Sequence, residues 1–179
     1  MIWETLSFLA GKLNTAIKSR YNITHNMVQL AALPLQPGGI IETDNKILLT
    51  LVNVEPDHIA QDLKPIGKQS FTPDLFVNLY ILVSAYSTEE NYDQALKILS
   101  GIVSFFQANP FFAAQNEPAL GPYIEKLNIE MSKISLHDQS TLWTTLGSKY
   151  LPSALYKVRL LRFRNEQYSP EWPAISGIE

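Results

Sequence analysis

The sequence predicts a single α+β domain, with helices packed on one mostly antiparallel or mixed sheet of about five strands. Three observations carry this. Apolar residues recur at helical spacing near the N-terminus and again from Tyr92 to Phe106. Strand-like apolar runs lie between and after these two segments. Finally, 179 residues without a linker-like block, internal repeat or low-complexity stretch suit one folding unit. We place that unit at 1–164 and read 165–179 as a tail.

In chain order, Ile2, Leu6, Leu9, Leu13 and Ile17 predict a helix that ends near Arg20, with Lys12, Asn14 and Lys18 between them. Gly11 weakens it. Met27 to Leu33 reads as a short strand, broken by Pro34, Pro37, Gly38 and Gly39. Lys46 to Val54 is apolar on both faces, as in a strand inside a sheet, and Pro56 stops it. Asp57 to Pro73 is polar and aperiodic and reads as a long loop. Asp74 to Tyr86 is the strongest strand and is expected at the centre of the sheet. Ser87-Thr88-Glu89-Glu90 opens a helix whose apolar face runs to Phe106, and Asn109-Pro110 ends it. Phe111 to Pro122 reads as irregular. Tyr123 to Ser132 alternates cleanly, as a half-exposed strand does. Ser135 opens a short helix through Leu146, with Gly147 as its C-terminal cap. A last strand runs from about Ala154 to Arg164.

Composition excludes several functions. With no cysteine, there are no disulfides, cysteine-based zinc sites, iron–sulfur clusters or thiol catalysis. A net charge of −3 argues against a general nucleic-acid partner. Glu4 near the start, followed by Lys12 and Lys18, does not read as a secretory signal. No run approaches the ~18 apolar residues of a membrane span.

The candidate chemistry is thin. His25, His58 and His137 fall in different elements, and Asp57-His58 with Asp62 matches no metal-ligand spacing. Gly67-Lys68-Gln69-Ser70 lacks the first glycine of a phosphate loop, since Asp62 stands there, and a strand follows instead of a helix. Gly38-Gly39 lacks the other glycines of a dinucleotide fingerprint. Among the carboxylates, Asp44, Glu89-Glu90 and Glu130 form no recognisable pair, and acids such as Glu89-Glu90 favour a helix start. We therefore expect no catalytic, cofactor or metal site and no enzymatic activity. Two features point to surfaces instead. Lys157, Arg159, Arg162 and Arg164 are either charges that blunt an edge strand or an electrostatic contact for a protein partner. Trp172, flanked by prolines, either folds back on the domain or docks on a neighbour. Tyr92 and Phe105-Phe106 are read as core.

Several segments in order carry a family resemblance. They are Thr50-Leu51-Val52-Asn53-Val54-Glu55, Asn78 to Ala85, Tyr92 to Leu99 continuing through Val103 to Gln107, Ile124 to Leu127, Leu142 to Gly147, and Lys149-Tyr150-Leu151-Pro152-Ser153 with Tyr156 to Arg159. Together they resemble the N-terminal-type domain of tail-terminator, or cap, proteins of extracellular contractile injection systems, the phage-tail-like particles of the virulence-cassette and antifeeding type. The resemblance implies a tail-terminator-like fold and a structural role. It implies a homo-hexameric ring that meets the sheath and inner-tube proteins, caps their distal end and stops polymerisation. Assembly would be cytoplasmic, in a particle that is later released. The alternative is a soluble adaptor of the same fold with another protein partner.

Overall fold

The computed structural model describes residues 2–33, 45–57, 76–120 and 124–163. The elements are α1 (Ile2–Tyr21), β1 (Val28–Leu30), β2 (Lys46–Pro56), β3 (Val77–Tyr86), α2 (Tyr92–Ala108), β4 (Phe111–Ala113), β5 (Ile124–Met131), α3 (Leu136–Thr145) and β6 (Ser153–Phe163). The strands form one six-stranded sheet in the order β1-β2-β3-β6-β5-β4. β1 runs parallel to β2, and every other neighbouring pair is antiparallel.

α1 and α2 lie on one face of this sheet. α1 buries Leu6, Leu9, Leu13 and Ile17, and α2 buries Ala95, Ile98, Ile102 and Phe106. Both sets keep the helical spacing of three or four. They share a core with Ile47, Leu49, Leu79, Ile81, Val83, Tyr156, Val158, Leu127 and Ile129. Phe8 packs edge-on against Phe112 at 5.3 Å, and Phe106 meets Tyr156 at 4.8 Å. Tyr156 pays for this place with a buried hydroxyl that has no partner among the described residues. Burial pushes its phenol up to about 12.

Four expectations change. Phe111–Ala113 is not irregular: it is the edge strand β4, paired with residues 126–128 of β5. It is three residues long, too short for periodicity to reveal. Tyr92 is half exposed and leaves the core, while Phe106 stays in it. α2 also begins later than expected. Glu89–Asn91 form a 3₁₀ turn, and Thr88 makes no side-chain cap. Asn14 is the largest departure. Sitting between apolar positions, it read as a polar-face residue, yet it is buried. Its Oδ1 accepts from the N–H groups of Met27 and Val28, and its Nδ2 donates to the Val28 carbonyl, all at 2.9 Å. One helix side chain thus occupies the outer edge of β1.

α3 bridges β5 and β6. The Ser135 hydroxyl accepts from the Asp138 N–H at 3.1 Å and donates to the Asp138 carboxylate at 2.6 Å, a reciprocal N-cap. Gly147 has φ +64° just past the helix, and its N–H donates to the Thr144 carbonyl at 3.0 Å. A left-handed residue there is what a C-terminal cap requires.

Candidate functional site

Two surface features outside the helical layer stand out. The first is a polar cluster on the second face of the sheet. It depends on a bulge in β2. Up to Leu51 the odd-numbered residues of β2 face the helices. The pairing then shifts between Leu51 and Asn53. An extra residue reverses the alternation that follows. Asn53 and Glu55 are thereby carried to the opposite face, opposite Tyr80 and Asn78.

There the Tyr80 hydroxyl donates to Glu55 Oε1 at 2.7 Å, and Lys157 Nζ stands 3.6 Å from the same oxygen. Lys157 also lies over the Tyr80 ring, 5.6 Å from its centroid. One step along β6, Arg159 Nε pairs with Asp57 Oδ2 at 2.8 Å, and the Asp57 side chain is only 4% exposed. The register explains the gathering: Tyr80, Lys157 and Glu130 lie opposite one another, as do Asn78, Arg159 and Asn128. The Tyr80 hydrogen bond holds the Glu55 carboxyl below the usual carboxylate range, with Lys157 adding to the effect. The same bond, followed by burial, raises the Tyr80 phenol. Both groups move away from neutrality, opposite to what proton transfer near pH 7 requires. The cluster clasps three strands together.

This settles where two of the basic residues sit. Lys157 and Arg159 point away from the helices and are paired within the chain. β6 lies between β3 and β5, so these charges do not blunt an edge strand. Arg162 lies in β6, with its side chain outside the described residues. Arg164 and Trp172 lie outside them altogether, as do His58, Asp62 and most of the predicted 57–73 loop. Glu55 and Asp57 were missed as partners because strict alternation hides the bulge. A signal existed: polar Asn53 and Glu55 follow Leu51 in the same parity, which an unbroken strand would turn into the core.

The second feature lies where β3 ends and β6 begins. Leu136, Trp143 and Tyr150 line one groove of about 430 Å³. Tyr92, Tyr150, Leu151 and Pro152 line another of about 400 Å³. Tyr150 joins the two. Leu136 is 86% exposed, Tyr150 63% and Tyr92 50%. Trp143 is buried and meets Tyr150 at 5.8 Å. Its indole N–H has no acceptor among the described residues.

Among the described residues no group of three or more His, Asp or Glu could hold a metal, and no helix is long and apolar enough to cross a membrane. The features define a surface-presenting α+β protein: a mixed sheet clasped by ion pairs on one face, helices on the other, and an aromatic groove at one end. The family model described as the Pvc16 N-terminal domain matches residues 4–176, so the chain belongs to that family. It is the tail-terminator family of contractile injection systems. Two solved structures are similar in fold. One is the PVC sheath/tube terminator of an extracellular contractile injection system in its extended state, at TM-score 0.54 and 16% identity, covering 93% of this chain and 62% of that one. The other is the anti-feeding prophage cap, a tube-terminating cap, at TM-score 0.53 and 16% identity, covering 93% of this chain and 59% of that one. The chain thus spans about three fifths of the length of these two terminators. No curated protein matches it.

Proposed function

We propose that the chain is a non-enzymatic assembly protein that caps the distal end of the inner tube and sheath of a contractile injection system and ends their growth. The family match over residues 4–176 carries this reading, and the fold likeness to two terminators supports it. The physics fits. A tube or sheath built from heterologous contacts is open-ended and keeps adding layers. A protein that matches the last layer on one side and presents no copy of that layer on the other stops growth. Six copies in a ring would match a six-fold tube, assembled in the cytoplasm before release. In this reading Arg162, Arg164 and Trp172 remain candidate contacts, and Lys157 and Arg159 contribute through the face they brace.

The test is electron microscopy of particles made with and without the gene. Loss should give tubes and sheaths of variable length, and complementation should restore one length. Uniform length without the gene refutes the reading. A soluble adaptor of the same fold with another protein partner is the second reading. Six-membered rings of purified protein in negative stain would argue against it.

A further inference from the structure

We propose that the groove formed by Tyr92, Leu136, Trp143, Tyr150, Leu151 and Pro152 receives the Pro170-Glu171-Trp172-Pro173 segment of a second copy of this chain. The groove is rich in aromatic surface, and its Tyr92, Leu136 and Tyr150 side chains are exposed. Segments with two prolines separated by two residues are stiff and bind aromatic-lined grooves of this kind at a small entropic cost. Residues 170–173 have that spacing, with a tryptophan inside it. The buried Trp143 indole N–H has no acceptor among the described residues. Extended segments of this type display backbone carbonyls.

Geometry selects a neighbouring copy over the chain's own tail. The groove adjoins the start of β6, through Tyr150, Leu151 and Pro152, whereas the tail leaves from the other end, after Phe163. At ~3.3 Å per residue, Ser153 to Phe163 covers about 33 Å. Pro170 is seven residues past Phe163, which at full extension reaches only about 25 Å. Doubling back cannot seat the whole segment on its own groove. Tail and groove at opposite ends of one chain make a head-to-tail contact, the kind that closes into rings. The inference rests on the ring reading only in taking the neighbour to be another copy.

The test mixes two full-length variants, Tyr150→Ala (groove disabled) and Trp172→Ala (tail disabled). Wild-type chain should self-associate in sedimentation velocity, each variant alone should run as a monomer, and their equimolar mixture should form a 1:1 dimer. A fluorescent peptide of residues 165–176 should bind the Trp172→Ala chain. It should bind at least tenfold more weakly when Tyr150→Ala is added, and likewise when Leu136→Glu is added. A monomeric mixture, or peptide affinity indifferent to both groove changes, overturns the inference. So does a monomeric wild type whose groove accepts peptide only after Trp172→Ala, which would show a tail bound within its own chain. If the mixture fails while particles lacking the gene still lose length control, the groove assignment falls and the capping reading stands.

Discussion

Replacing Asn14 with alanine tests whether one buried amide holds the β1 edge. The substitution removes three hydrogen bonds of 2.9 Å each, two accepted from Met27 and Val28 and one donated to Val28. Met27 and Val28 are 3% and 5% exposed, so water does not readily replace the lost partner. At ~1 kcal/mol for each bond, the loss is about 3 kcal/mol. Alanine's better helix propensity returns roughly 0.6 kcal/mol. The net expectation is a destabilisation of about 2–3 kcal/mol. For a chain of this size that lowers Tm by about 5–10 °C. Urea unfolding gives the free energy, and hydrogen exchange at the Met27 and Val28 amides locates it. The neighbouring Thr15→Ala change, on the exposed side of the same helix, should stay within ~0.5 kcal/mol. A loss below about 1 kcal/mol, with exchange at Met27 and Val28 unchanged, would refute the reasoning.

Four further predictions follow from packing and burial. An added Cβ at Gly11 meets nothing within 4 Å, so Gly11→Ala should stabilise the exposed side of α1 by about 1 kcal/mol in urea unfolding. At Gly101 the same Cβ would stand 2.5 Å from the Tyr21 hydroxyl, which donates to the Lys97 carbonyl at 2.7 Å; Gly101→Ala should therefore destabilise by roughly 1–2 kcal/mol despite the same gain in propensity. Arg159→Ala removes one ion partner of a nearly buried Asp57 and should cost about 1–2 kcal/mol, less than a fully buried pair because Arg159 is 34% exposed; a double-mutant cycle with Asp57→Asn measures the coupling. Tyr156 has a phenol raised to about 12, so the unfolded chain ionises it first; this stability is intact below pH ~10 and is lost as pH rises toward 12. Tyr156→Phe should abolish that alkaline loss in unfolding measured across pH and leave neutral-pH stability unchanged or slightly higher.

Periodicity made most of the fold legible. α1 and α2 follow from apolar residues spaced three and four apart, and β3 from a run apolar on both faces. Gly147 followed from its position after a short helix. What escaped has physical causes. β4 is three residues long, below the length at which alternation can be recognised. The β2 bulge flips parity within a run that otherwise reads as continuous. Asn14 was hidden because an amide between apolar residues looks the same from sequence whether it meets water or a strand edge. The parallel pairing of β1 with β2 leaves no mark in either strand's composition. The polar cluster was illegible for a related reason. Glu55, Tyr80 and Lys157 come from three strands, and only the register of the finished sheet brings them within hydrogen-bonding distance.

The two edges of the sheet constrain how this chain meets a partner. Strand addition needs a row of unpaired backbone groups. At β1 that row is taken in part by Asn14, because Val28 gives both its N–H and its carbonyl to the amide. At β4 the row is three residues long, and the Ala113 carbonyl already accepts from the N–H groups of Asn116 and Glu117, each at 3.0 Å. Lys126 also stands 4.5 Å over the half-exposed Phe111 ring, placing a charge beside the edge. β6 is interior and has both neighbours in place. Little backbone in the described residues is therefore left to recruit another strand. The large exposed apolar side chains at the α3 end gain more from being covered than either edge gains from pairing. A contact built on side chains at that end leaves the sheet closed to indefinite strand addition. That property suits a part that ends a polymer.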